Sequence, residues 1–109
     1  MSTRGGIMQL VRKSAAKRLL FLPHAVRQMS RLDRMINAQE VRNTAEKGEL
    51  IEDYPDDSRG HSCLIMGQGN DGHPIHVVCS PKGDFLAIIT AYIPSESEWK
   101  NNFRERKKI

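Results

Sequence analysis

The chain has 109 residues, with 17 Lys or Arg against 13 Asp or Glu and a formal net charge of +4 at pH 7. A chain of this length forms one domain with a single modest core, which excludes anything larger than two layers of structure. The basic balance favours a polyanionic partner without requiring one, and the absence of a long apolar run predicts a cytoplasmic protein with no signal peptide or membrane contact.

Residues 1–17 predict a basic lead-in that is partly helical and partly loose. Its cations favour a solvated tail, with contact to phosphate as the alternative, and they are Arg4, Arg12, Lys13 and Lys17. The domain proper is predicted to span residues 18–106, followed by a short basic end over residues 107–109.

A first helix is predicted after a short extended segment, residues 18–22. Pro23 disfavours helix in the residue before it and suits the first turn of a helix over residues 23–32. At 100° per residue, one face of this helix is apolar. The opposite face carries a cationic stripe headed by an imidazole, made of His24, Arg27, Arg31 and Arg34. A solvated face and a phosphate-binding face both remain open as interpretations.

A second helix is predicted by Asn37 with Glu40 three residues later, which is a capping-box pattern, and it ends before Gly48. The period then changes, and four short runs rich in Ile, Val, Leu and Tyr alternate with turn-forming residues. They predict an antiparallel meander of strands over residues 50–54, 62–66, 75–80 and 85–92.

A closing helix is predicted after Pro94. Acidic residues over 95–98 suit its first turn, Trp99 and Phe103 anchor it, and basic residues over 106–108 suit its C-terminal end. The predicted fold class is therefore α+β, with two N-terminal helices packed on a four-stranded antiparallel sheet and a C-terminal helix.

Residues 67–72 contain the glycine spacing G-x-G-x-x-G of a dinucleotide-binding loop. That fingerprint needs a following helix whose N-terminus holds the pyrophosphate, whereas Pro74 and a strand follow here. We therefore expect a hairpin loop. His73 and His76 lie three residues apart, so on a strand they point to opposite faces and cannot share an ion unless His73 lies in the loop. The sequence predicts no metal site and no cofactor.

His76 is a titratable residue inside an apolar strand, where Val or Ile would be expected. A structural hydrogen bond and a catalytic role are both open. Thr90 and Tyr92, near the end of the neighbouring strand, add polar groups. A two-residue turn would place His76 opposite Ile89, whereas a three-residue loop with a bulge would place it opposite Thr90.

Three stretches resemble the bacterial family catalogued as domain of unknown function 4258. They are HAVRQMSRLDRMI over residues 24–36, VRNTAEKGELIEDYPDDSRGHSCLIMG over residues 41–67, and HPIHVVCSPKGDFLAIITAYIP over residues 73–94. The family is similar to the RelE-like ribonuclease toxins, which implies a toxin-like ribonuclease ancestry. It also implies a small antitoxin protein, encoded nearby, as partner. The matching positions are His24, His76, Thr90, Tyr92 and Pro94.

The functional hypothesis is a metal-independent endoribonuclease, in which a 2′-hydroxyl attacks the adjacent phosphate. His24 and His76 would share general base and acid, because imidazole transfers protons near neutral pH. Tyr92 would donate a hydrogen bond or stack a base. The phosphate-binding group would come from Arg27, Arg31 and Arg59, with Thr90 nearby. The rival hypothesis is a non-catalytic module that binds an antitoxin-like partner or nucleic acid, with His76 structural.

Overall fold

The structure is a computed structural model that describes residues 3–32 and 35–107, with only the backbone of residues 3–5. It has three helices, a main sheet of five strands and a small C-terminal hairpin. The elements are α1 (Thr3–Lys17), β1 (Leu19–Phe21), α2 (Pro23–Met29), α3 (Ala38–Lys47), β2 (Glu49–Tyr54), β3 (Ser62–Gln68), β4 (Pro74–Pro81), β5 (Leu86–Tyr92), β6 (Trp99–Lys100) and β7 (Glu105–Arg106).

The main sheet has the strand order β1-β5-β4-β3-β2. Strand β1 runs parallel to β5, while the other neighbours are antiparallel. The α+β class holds, but the predicted four-stranded antiparallel sheet is wrong, because the short segment before Pro23 adds a parallel edge strand. Leu19 and Phe21 pack against the core while their backbone pairs with β5. A run of three residues is too short for its periodicity to indicate a strand.

The predicted C-terminal helix is also wrong, because β6 and β7 form a two-stranded hairpin instead. Three consecutive residues at its turn have left-handed backbone angles: Asn101 (φ 54°), Asn102 (φ 56°) and Phe103 (φ 67°). Asn tolerates this region well, so the Asn pair suits a turn better than a helix interior. The side chain of Trp99 is buried, and its packing on the sheet outweighs the helical pattern of the segment.

The helices pack on one face of the sheet. Helix α1 consists of residues that were predicted to form a lead-in outside the domain. It contributes Ile7, Val11 and Ala15 to the core. The capping box at the start of α3 is confirmed, since the Asn37 side chain accepts from the Glu40 amide and Glu40 accepts from the Asn37 amide. Among the described residues, no helix is long and apolar enough to cross a membrane.

The glycine-rich segment connects β3 to β4 in an antiparallel hairpin, as predicted. Gly72 has φ +87°, a backbone angle that favours glycine. Gly67 lies against α3, where a Cβ atom would come within 2.4 Å of the Thr44 Oγ1 atom. The glycines therefore permit a tight turn and a close approach of helix and strand.

Replacing Gly67 with Ala should lower the free energy of unfolding by about 1–3 kcal/mol, because the added methyl group forces α3 away from β3. The matched control is Gly6→Ala in α1, where no atom lies within 4 Å of the position that the added methyl group would take. That change should stabilise the protein by roughly 0.5–1 kcal/mol, since Gly costs entropy in a helix. Urea denaturation measures both. A Gly67→Ala protein as stable as wild type would contradict the close packing.

Candidate functional site

The sheet has one face covered by the helices and a second face, called here the open face, that points away from them. Along β4, Ile75, Val77 and Cys79 belong to the core beneath the helices. Successive strand residues point to opposite faces, so His76 and Val78 lie on the open face. The C-terminal hairpin packs on this face and covers part of it.

His76 is fully buried between β5 and the C-terminal hairpin, with 0% of its surface exposed. Its Nε2 atom lies 2.9 Å from the Phe103 carbonyl oxygen, and its Nδ1 atom lies 3.2 Å from the Tyr92 hydroxyl. A carbonyl only accepts, so Nε2 carries the proton and donates to Phe103. Nδ1 then accepts from the Tyr92 hydroxyl. Both ring nitrogens are satisfied within the protein.

Burial keeps the His76 ring neutral. The pKa of His76 is lowered to about 4, chiefly by desolvation and to a smaller extent by the charge of Arg106, while the Phe103 hydrogen bond and the charge of Glu52 act to raise it. Trp99 covers the His76 side chain. The two rings meet edge to face, with their centroids 4.5 Å apart. At neutral pH, His76 therefore has no proton to give as an imidazolium and no open path to a bound substrate.

Two arginines of the C-terminal hairpin form ion pairs with glutamates of β2. Arg104 donates to both carboxylate oxygens of Glu49 at 2.8 and 3.1 Å. The Arg106 Nε atom lies 3.1 Å from each carboxylate oxygen of Glu52, and its guanidinium lies 4.7 Å from the centroid of the Trp99 ring. Such exposed pairs add little stability, so the burial of Trp99 supplies most of the attachment.

The described residues of the cationic stripe lie on α2 and just after its end. Helix α2 packs into the core beneath the helix layer through Ala25 and Met29, and leaves His24 and Arg27 exposed. Arg31, just beyond the end of α2, is exposed as well, while Arg34 lies outside the described residues. The His76 ring, by contrast, makes its hydrogen bonds and ring contacts with Tyr92 and the C-terminal hairpin. None of these His76 contacts involves His24, and the pairing of the two histidines as general base and acid stays a prediction.

Tyr92 lies directly opposite His76, and Thr90 lies opposite Val78. Both predicted registers, with Ile89 or Thr90 opposite His76, are wrong. Residues 82–85 connect β4 to β5, and a bulge between Val78 and Cys79 leaves Ile89 without a partner. The bulge shifts the pairing by one residue, so Tyr92 shares the open face with His76.

The uncovered part of the open face contains an apolar groove of about 220 Å³. Eight residues line it: Leu20, Leu22, Arg59, Ser80, Lys82, Phe85, Ala87 and Ile89. Arg59, predicted as a substrate-binding residue, therefore lies on the same side of the sheet as His76 and Tyr92. Its guanidinium is held by both carboxylate oxygens of Asp57 at 3.1 and 3.0 Å, a contact that holds the pKa of Asp57 well below its usual range.

Several residues that build this face were not predicted as site residues. Trp99 and Phe103 were assigned to a helix, and Arg106 to the basic end of that helix. An Asn pair between two aromatic residues is the signal that could have indicated a hairpin. Lys82 and Phe85 were treated only as turn and strand residues. Within residues 3–32 and 35–107, no three metal-ligating side chains gather at one point.

Comparison with known proteins gives one match. Residues 21–93 match the model of a family described as Domain of unknown function (DUF4258). Neither the curated proteins nor the solved structures contain a match to this chain.

Proposed function

The chain belongs to the DUF4258 family, and we propose that it is a non-catalytic RNA-binding module whose binding surface is the uncovered part of the open face. The observation that carries this proposal is the complete burial of the His76 side chain. The ring is fully buried and hydrogen-bonded at both nitrogens, and its pKa is about 4. A group in this state holds the sheet and the hairpin together and exchanges no proton with a ligand.

RNA is the polyanion proposed as ligand, because the resemblance to RelE-like ribonuclease toxins implies an RNA-directed ancestry. The net charge of +4 agrees with this choice. Cations also lie where a ligand could reach them, since Arg59 and Lys82 line the groove on the open face. Phosphate contacts of this kind supply most of the affinity in sequence-independent binding.

The test is fluorescence anisotropy with a labelled single-stranded RNA of about 12 nucleotides, a length within the range of small binding modules. Raising the salt concentration from about 50 to about 200 mM should weaken binding roughly tenfold, as expected for release of two or three counterions. The RNA should be recovered intact, both in EDTA and with added Mg²⁺. Absence of binding at low salt would overturn the proposal.

A second candidate is the metal-independent endoribonuclease, favoured by the position of Tyr92. Tyr92 is only partly buried, its hydroxyl donates to His76, and its side chain lies on the open face together with Thr90. Burial raises the pKa of Tyr92, which suits a proton or hydrogen-bond donor better than a base. In this mechanism His76 positions Tyr92, and the antitoxin-like partner would cover the same face.

Cleavage in EDTA that leaves 2′,3′-cyclic phosphate ends would support this second candidate over the binding module. Tyr92→Phe should then abolish cleavage in a protein that stays folded and keeps its RNA affinity, although loss of the hydrogen bond to His76 lowers the melting temperature. Growth arrest and RNA decay on induced expression, relieved by a co-expressed antitoxin-like protein, would extend the result to the cell.

A further inference from the structure

The apolar groove on the open face is lined by aliphatic side chains and by one aromatic ring. Its floor is formed by Leu20, Ala87 and Ile89 from β1 and β5, and Phe85 stands at one end. Its volume of about 220 Å³ suits one flat ring system rather than a long side chain or a folded segment. The groove lies beside the buried His76 site and shares none of its contacts.

Cations surround the aromatic end of the groove. Lys82 lines it, and the Arg18 guanidinium lies 5.9 Å from the centroid of the Phe85 ring. In the described part of the chain, no carboxylate forms an ion pair with either cation, whereas Arg59 is neutralised by Asp57. The Lys82 ammonium donates to the backbone carbonyl of Arg59, which holds it at the rim.

We propose that this groove holds one nucleobase of a single-stranded RNA, stacked on Phe85, with an adjacent phosphate against Lys82 and Arg18. The inference rests on the proposed RNA-binding function and assigns its base subsite. A nucleobase combines a flat ring with a phosphate a few ångströms away, which matches an apolar slot bordered by unpaired cations. Bases within a duplex are stacked on each other and cannot enter such a slot.

The polar side chains that line the groove are engaged within the protein, Arg59 by Asp57 and Lys82 by a backbone carbonyl. Ser80 is the one hydroxyl-bearing residue that lines the groove, and this hydroxyl donates to the backbone carbonyl of His61 at 2.7 Å. Stacking without edge contacts is tolerant of sequence, since every base has a π face. We therefore expect oligo-uridylate and oligo-adenylate to bind with affinities within about fivefold of each other, a difference that stacking strength alone can produce.

The binding test compares Phe85→Leu and Lys82→Gln with wild type on the same labelled single strand. Loss of one stacked base should weaken binding about tenfold in Phe85→Leu, which keeps the apolar volume. Lys82→Gln should weaken binding a few-fold and reduce the salt slope by about 0.7. The matched control is Lys13→Gln on the exposed side of α1, which has the same change in charge and should stay within about twofold of wild type.

Three outcomes are decisive once the melting temperature shows that each variant is folded. If wild type binds RNA and Phe85→Leu binds it equally well, the base subsite is wrong and the RNA-binding function stands. Equal affinity for a duplex and for the single strand would also overturn the subsite. If no RNA binds, the proposed function fails, and the groove is then tested directly with uridine 3′-monophosphate in amide NMR spectra.

The mononucleotide should shift the backbone amides of Ala87 and Ile89. Absence of shifts would overturn the base subsite, whatever the result with longer RNA. Shifts produced by benzene but not by the mononucleotide would assign the groove to an apolar side chain of a protein partner and would equally overturn it. Single-stranded DNA of the same sequence shows whether the 2′-hydroxyl adds affinity.

Discussion

Replacing His76 with Ala should lower the free energy of unfolding by about 3 kcal/mol, as judged from large-to-small substitutions in cores and from buried groups left unpaired. The ring fills the space between Tyr92 and Trp99, and it holds the Phe103 carbonyl and the Tyr92 hydroxyl. Its removal leaves a cavity and a carbonyl without its donor. Urea denaturation at neutral pH measures the change.

Two further variants show whether the effect belongs to the buried ring. His24→Ala, on the exposed face of α2, should change the free energy of unfolding by no more than about 0.5 kcal/mol. His76→Gln retains an amide that can donate to Phe103, so it should recover part of the loss. If His76→Ala were as stable as wild type and abolished an RNA-cleaving activity, His76 would be catalytic and the structural role assigned to it would be wrong.

Acid should destabilise the protein through the same residue. The pKa of His76 is lowered from 6.5 to about 4 in the folded state, so the unfolded chain takes up a proton first as pH falls. The contribution of neutral His76 is complete above the unfolded pKa and is lost progressively between pH 6.5 and about pH 4. A shift of this size corresponds to about 3 kcal/mol.

The measurement is the free energy of unfolding as a function of pH for wild type and for His76→Gln. Wild type should lose about 3 kcal/mol more than the variant between neutral pH and pH 4, because only wild type has this imidazole to protonate. Asp57, whose pKa is lowered by Arg59 and Ser62, adds acid sensitivity at still lower pH in both proteins and cancels in the comparison. Parallel curves would show that His76 titrates normally in the folded state.

Both predictions depend on the C-terminal hairpin, which gives the open face two different parts. In the part covered by Trp99 and Phe103, His76 connects the sheet to the hairpin through a buried hydrogen bond and a ring contact. In the part outside the hairpin, the apolar groove over β1 and β5 has the cations Lys82 and Arg18 close to Phe85. The proposed binding site and the structural role of His76 therefore involve different residues, so separate variants can test them.

Local signals in the sequence determined the elements whose chemistry is complete within a few residues. The capping box of Asn37 and Glu40 predicted the start of α3, since both partners lie within one turn. The glycine-rich segment predicted the β3–β4 hairpin, because a strand rather than a helix follows it. The apolar runs predicted the four antiparallel strands β2 to β5 to within a few residues. The sequence also showed that His76 lies within such a run, but it left open whether the residue makes a structural hydrogen bond or has a catalytic role.

The tertiary structure alone decided which distant surfaces meet. Periodicity shows which face of an element is apolar, but not which part of the chain covers it. The pairing of β1 with β5 joins segments more than sixty residues apart, and the cover of His76 comes from Trp99 and Phe103 beyond the last central strand. The bulge at Ile89 set the register that places Tyr92 beside His76. The burial of His76 on the open face and the exposure of His24 on α2 likewise depend on long-range packing.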